Sequence, residues 1–266
     1  MHARSLRYLS FADVDLFGAT AALNRIYENY VFPFTMSEAQ TALHLTANDI
    51  DLGASPLWYD GDELVAAALI GIRADRAWIG GFGVVPEYRG AGHGRALLAQ
   101  VIAKCRMRAT HVQLEVLVQN APAIATYAGA GFCAERKLLS HSLDVTTVLG
   151  VPPAIEEIEP PLGIVDAGAP SWQCERESLQ RQPNVRGLRR GRAALIFRSG
   201  ATVAQILAAS VADAAELAEL SSGLAAVTGV RKVLMFNQQE GSEAARAAEE
   251  SGWQLAFAQH EMRVTL

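Results

Sequence analysis

The chain has 266 residues, half of them hydrophobic and 19% charged, which excludes a disordered chain and, at roughly 150 residues per domain, suits two small globular domains. Lys and Arg number 23 against 28 Asp and Glu, a net charge of −5, which argues against a broad phosphate-neutralising face and hence against nonspecific nucleic-acid binding. Cys105, Cys133 and Cys174 are odd in number and far apart, the opening MHARSLRYLSFADVD has no apolar signal core, and no apolar run approaches the roughly 20 residues of a membrane span. No disulfide framework, metal site or membrane partner is expected, and the expected setting is cytoplasmic.

In chain order, Leu6 to Leu9 is a short strand and Asp13 to Tyr30 a helical stretch with Leu16, Leu23, Ile26 and Tyr30 among its apolar positions. A second helix starts at Ser37, where Ser37-Glu38-Ala39-Gln40 has the form of a capping box. Pro56 to Tyr59, Leu64 to Ile72 and Ala77 to Val85 are strands joined by the tight turns Asp60-Gly61-Asp62 and Ala74-Asp75-Arg76, an antiparallel meander. Three glycines then open a helix from Arg95 to Arg108, with Leu97, Leu98, Val101, Ile102 and Cys105 on one side. His111 to Val118 alternates as a strand, with Val112, Leu114, Val116 and Val118 on one face and His111, Gln113, Glu115 and Leu117 on the other. Asn120 is a good N-cap for an Ala-rich helix that Gly131 ends.

Pro152, Pro153, Pro160 and Pro161 surround an acidic stretch. Proline cannot donate to a sheet ladder, so residues 148–162 read as a linker between domains at 1–147 and 163–266. Beyond it, Ala193 to Arg198 and Thr202 to Ala208 form a hairpin ahead of a helix from Val211 to Val227. Both halves then end alike: apolar strand, Asn (Asn120 or Asn237), Ala-rich helix, Gly plus an aromatic, and further strand. That recurrence points to a duplicated module.

Gly90, Gly92 and Gly94 follow a strand and open a helix, which gathers backbone N–H groups at a positive helix end, a site for phosphate. A Walker loop needs Gly-Lys-Ser/Thr where Gly94 is followed by Arg95, and a dinucleotide fingerprint needs a glycine at 95 and a parallel βαβ start. Neither fits. What fits is Arg89-x-x-Gly92-x-Gly94 after Val84-Val85-Pro86-Glu87-Tyr88.

VVPEYRGAGHGRALL, together with Glu115 through Asn120 to Tyr127 and Gly131-Phe132, resembles two successive motifs of the GNAT (Gcn5-related N-acetyltransferase) superfamily, over about Arg4 to Leu143. The resemblance implies an α/β (α+β) fold with a mixed sheet and two acyl-CoA N-acyltransferase (GNAT-like) domains in tandem, with acetyl-CoA as cosubstrate and no metal. It implies that Phe82, Gly83 and Val84 present free backbone to the pantetheine arm where two strands splay, Gly81 and Gly83 suiting a bulged, closely approached backbone. Arg89, Gly90, Ala91, Gly92, His93, Gly94 and Arg95 would wrap the pyrophosphate, Arg95 adding charge, and Asn120 would bond the arm from the cleft mouth as well as cap its helix.

Tyr127, seven residues after Asn120, matches the family tyrosine that assists the leaving sulfur. Glu115, five residues before Asn120, matches the general base of some relatives and a structural acid in others. Tyr27, Tyr30, His44 and Asp49 fall in the region that lines the acceptor side, and Glu28, Asp49 and Asp51 are compatible with a cationic amine. In the second half the tyrosine slot falls on Ala244 or Ala248 and the glycine loop is missing, so that half reads as a degenerate copy without cofactor binding, whose role is to extend the sheet, close the acceptor cleft or make a dimer contact. The expected activity is transfer of acetyl to a primary amine of a small molecule or peptide by a monomer or homodimer, without nucleic acid. The alternative is an acyl-CoA-binding regulatory or scaffold protein with little catalysis.

Overall fold

The structure is a computed structural model that describes residues 6–145, 155–166 and 168–266. The elements run β1 (Leu6–Ser10), α1 (Leu16–Ile26), α2 (Glu38–Ala47), β2 (Pro56–Asp60), β3 (Glu63–Arg73), β4 (Arg76–Val84), α3 (His93–Cys105), β5 (His111–Leu117), α4 (Ala121–Gly129) and β6 (Cys133–Asp144). They continue as β7 (Glu156–Ile158), α5 (Gly163–Asp166), α6 (Arg176–Gln180), β8 (Val185–Arg190), β9 (Ala193–Ser199), β10 (Val203–Ser210), α7 (Ala214–Thr228), β11 (Lys232–Gln239), α8 (Glu243–Glu250) and β12 (Gln254–Thr265). No helix among the described residues is long and apolar enough to cross a membrane.

Two compact units form: Met1–Glu135 with Glu261–Leu266, and Arg136–His260. This division departs from boundaries at 147 and 163. From Leu138 to Asp144, β6 pairs antiparallel with β11, which places that stretch in the second unit. Of the expected linker, Val148 to Ala154 with Pro152 and Pro153 lies outside the described residues, as do Arg4 and Ser5 at the chain start. Glu156–Ile158 is an edge strand paired with β8.

In the first unit β1 to β4 form an antiparallel meander, and β4 pairs in parallel with β5. Side chains of β3 alternate between two cores. Ala66, Ala68 and Ile70 pack with Leu97, Leu98 and Val101 of α3, while Ala67 and Leu69 pack with Ala19, Ala22, Leu23 and Ile26 of α1. Burial on both faces explains why β3 reads as one apolar run. Local caps set the helices. Asp15 accepts from Gly18 N at 2.8 Å at the start of α1. The Ser37 capping box closes as its spacing requires: Gln40 N donates to Ser37 Oγ at 3.3 Å, and Ser37 N donates to Gln40 Oε1 at 2.8 Å.

The second unit repeats the plan. Strands β7 to β10 are antiparallel, β10 pairs in parallel with β11, and α7 and α8 cover a core around Leu195, Phe197, Leu217, Leu220, Met235 and Trp253. In each unit a meander thus feeds a parallel pair through a helix, the order the duplicated module requires.

Candidate functional site

The site of the first unit begins with an interrupted ladder. Strand β4 pairs with β5 at Arg76↔His111, Ala77↔Val112 and Trp78↔Gln113, and the register ends there. On its other edge β4 stays paired with β3, but the register shifts between Leu69 and Ile70, where Gly80 is the extra residue. A bulge bends its strand and increases the twist, which turns the rest of β4 away from β5. The bulge falls at Gly80 rather than at Gly81 or Gly83. Gly83 is the closely approached position: a Cβ there would lie 2.9 Å from both Cβ and O of Ile26. Val85 N donates to Val65 O at 3.0 Å, so by alternation the backbone groups of Phe82 and Val84 face away from β3, into the opening.

At the end of β4, Pro86–Tyr88 makes one 3-10 turn, and Gly90 and Gly92 take φ of +80° and +87°, values that strain any residue with a Cβ. Gly92 is the N-cap of α3, and nothing lies within 4 Å of a Cβ built at Gly90 or Gly92. Ala91 and Arg95 are exposed, and His93 and Gly94 half-buried. The N–H groups of a helix's first turn have no intrahelical acceptor, so open space lies before a ring of donors, a cradle suited to a pyrophosphate. Arg89 goes elsewhere. Its Nε donates to Val84 O at 2.9 Å and its Nη2 to Glu28 O at 2.9 Å and Ile26 O at 3.5 Å, which ties the end of α1 to the end of β4. The ring of His93 packs edgewise against Tyr88 and Trp58, with centroids 6.1 and 6.4 Å apart.

Tyr127 is buried at 6% exposure, its ring 5.6 Å from Phe82 and 5.8 Å from Phe132. Burial, with Tyr27 and Tyr30 nearby, pushes its phenol far above the ordinary tyrosine value. Burial likewise raises Tyr27 to about 12, opposed by the Phe82 N–H that donates to its phenol oxygen. Tyr30 is raised too, and its phenol bonds the side chain of Asn120. Asn120 also caps α4, accepting from Ala123 N at 3.3 Å. Three phenols therefore gather over the opening, all held neutral.

Glu115 stands on β5 two residues beyond its last pair with β4. Trp78 Nε1 donates to Glu115 Oε2 at 2.7 Å, and the indole reaches it by folding over Gly80, where a Cβ would lie 2.2 Å from the ring. His44 Nε2 lies 3.1 Å from Gly80 O and its ring 6.0 Å from that of Trp78. Trp78 has no place among the expected site residues. Its sequence signal is a tryptophan two residues before paired glycines, legible only once the bulge is known. Asp49 is not with them: it pairs with Arg73 at 2.7 Å.

In the second unit the start of α7 carries acid where α3 carries glycine. Glu216 N donates to Asp213 Oδ1 at 2.9 Å and Ala212 N to Glu216 Oε2 at 2.7 Å. Two carboxylates there repel a phosphate. Asn237 does not cap α8. It is buried at 4%, accepts from Ser140 Oγ at 3.2 Å, and leaves the cap to Ser242, which accepts from Ala245 N at 3.2 Å. Counted from Ser242, the tyrosine slot holds Glu249. No group of three or more His, Cys, Asp or Glu among the described residues could hold a metal ion.

Comparison with known proteins adds sequence and fold. None of the curated proteins matches the chain. Among solved structures it is similar to a GCN5-related N-acetyltransferase from Sphaerobacter thermophilus, with TM-score 0.71 and 17% identity over 98% of this chain and 95% of that one. It is also similar to a candidate acetyltransferase from Pyrococcus horikoshii, with TM-score 0.69 and 15% identity over 100% and 90%. A tandem GNAT protein from the clavulanic acid biosynthesis pathway covers 98% of this chain and is covered to 98%, with TM-score 0.67 and 14% identity. These likenesses show a tandem GNAT fold. Residues 23–132, which hold the splayed strand, the glycine turn, Glu115, Asn120 and Tyr127, match the acetyltransferase (GNAT) family.

Proposed function

We propose that the first unit transfers an acetyl group from acetyl-CoA to a primary amine of a small molecule or peptide by direct attack on the thioester. The observation that carries this reading is the glycine-opened N-terminus of α3 at the end of a strand whose outward backbone edge has lost its partner, beside a buried neutral phenol. Acetyl-CoA supplies the activated acetyl group when bound. At the edge formed by Phe82, Gly83 and Val84, the Phe82 C=O and the Val84 N–H meet the pantetheine arm, since Tyr27 takes the Phe82 N–H and Arg89 the Val84 C=O. The N–H groups from Gly90 to Arg95 hold the pyrophosphate. Arg89 serves this cradle by fixing its backbone.

Glu115 accepts the proton that the amine nitrogen gives up as the C–N bond forms, directly or through water, and the Tyr127 hydroxyl donates to the sulfur as the C–S bond breaks. The indole N–H of Trp78, 2.7 Å from Glu115 Oε2, holds that carboxylate in place for this step.

The reading is tested by calorimetry with acetyl-CoA and by thiol release over a panel of amines and peptides. Micromolar binding with amine-dependent CoA release is expected, and Glu115→Gln should lower kcat by about 10²- to 10⁴-fold. Binding without release from any acceptor would point to a sensor or scaffold instead, and no binding would overturn both. Trp78→Phe removes the donor that orients the Glu115 carboxylate and should lower kcat by about tenfold or more, the scale of one hydrogen bond to a charged group.

A further inference from the structure

The segment between α1 and α2 in the first unit carries an unusual load of exposed apolar side chains. Val31, Phe32 and Phe34 are 48%, 39% and 40% exposed, although such groups are ordinarily scattered singly on a surface. The segment is anchored to the site at two points. Tyr27 takes the Phe82 N–H and Tyr30 bonds Asn120. Phe34 packs on Tyr27 at a tilt of 49° with ring centroids 4.5 Å apart, and Tyr27 and Tyr30 meet edge to face at 5.2 Å. An aromatic surface therefore runs from the outside of the segment to the opening over Tyr127.

Most of the acids around it are ion-paired. Glu28 and Glu87 both pair with Arg25, the latter at 2.6 Å. Asp49 pairs with Arg73 at 2.7 Å, and Asp51 pairs with Arg108. Glu38 stands in the first turn of α2, where a carboxylate offsets the helix end. The acids that in sequence are compatible with a cationic acceptor are thus each ion-paired with an arginine, Glu28 sharing Arg25 with Glu87. Glu115, hydrogen-bonded by the Trp78 indole, is a carboxylate on β5 two residues beyond the last pair with β4. A polyamine or other polycation needs several carboxylates to replace its hydration, whereas one amine on an apolar body needs one polar group and an apolar wall.

We infer that the acceptor is a monoamine whose nitrogen is borne on an aromatic or otherwise apolar skeleton, which lies on the Tyr27–Phe34 segment with the nitrogen towards Glu115. This rests on the transferase reading above. Phe34 and Phe32 then determine specificity without touching the reacting atoms.

The test compares 2-phenylethylamine with spermidine as acceptors for the full chain, by steady-state thiol release, alongside calorimetry with acetyl-CoA. The expected kcat/KM for 2-phenylethylamine exceeds that for spermidine by about tenfold or more, the scale on which apolar contacts discriminate. Phe34→Ala should lower kcat/KM for 2-phenylethylamine by about tenfold, mainly through KM, because a ring that binds ground and transition states alike affects binding rather than turnover. Phe17→Ala, which removes an aromatic ring 69% exposed on the first turn of α1, should change neither parameter. Equal use of both amines, a preference for spermidine, or acetyl-CoA binding with no release from 2-phenylethylamine would overturn the acceptor class and leave the cofactor site standing. Failure to bind acetyl-CoA at all would overturn the transferase reading and this inference with it.

Discussion

Gly94→Asp should weaken acetyl-CoA binding by about a hundredfold or more without loss of the fold. At an effective dielectric near 20, a carboxylate about 5 Å from a phosphate charge costs about 3 kcal/mol, which is a little over a hundredfold in affinity. The fold tolerates the change for three reasons. Gly94 lies in the first turn of α3 without a positive φ, and its Cβ would meet only Val84 Cγ2 at 3.8 Å, an ordinary contact. Replacing glycine inside a helix recovers backbone entropy, and an acid in the first turn complements the helix dipole. The melting temperature should therefore hold or rise while calorimetric binding disappears. Gly92→Asp is the less clean variant, since its φ of +87° adds strain of about 1–2 kcal/mol. As a control, Asn237→Ala in the second unit should leave the affinity within about twofold, because that unit's helix start is already filled by Asp213 and Glu216. Native affinity in Gly94→Asp would place the pyrophosphate elsewhere, and loss of affinity in Asn237→Ala would show that the second unit is not silent.

Tyr127→Phe should slow turnover by about ten- to a thousandfold with little change in KM, below or within the usual range for a general acid. The phenyl ring keeps the packing on Phe82 and Phe132, so the loss reads the hydroxyl alone. The lower bound is modest because a thiol near pKa 8.5 leaves tolerably as thiolate at neutral pH. The phenol is raised above its ordinary value of about 10 by burial, so it remains protonated throughout the range in which the protein is assayed. The native pH profile should accordingly show no fall in kcat below pH 10 attributable to Tyr127, and Tyr127→Phe should lower the whole profile without moving its limbs. A shifted limb or an unchanged kcat would remove Tyr127 from the chemistry.

The elements that short-range rules govern were legible. The Ser37 capping box, the β3 apolar run and the left-handed glycines Gly90 and Gly92 all appear where their spacing places them. Boundaries moved where a cap or a backbone turn competed with periodicity. Helix α1 begins only after Asp15 caps it and ends at Ile26, before Asn29 turns left-handed at φ +57°. Helix α7 waits for the Asp213 cap rather than starting at Val211.

By itself the sequence determined what acts within a few residues: the order of strands and helices, the glycine turn and its donors, and a second copy stripped of that turn. Only the tertiary structure decided which charges remain to act. Arg89 meets Ile26 and Glu28, about sixty residues earlier, and so braces the cradle as scaffold. Trp78 reaches Glu115 because a bulge at Gly80 opens β4 from β5. The acids at 28, 49 and 51 look available in the chain and are matched by Arg25, Arg73 and Arg108 in the fold. The physical reason is common to all three. A cap or a turn is settled by backbone groups three or four residues away, whereas the partner of a long charged side chain is chosen by whichever strands and helices folding brings beside it.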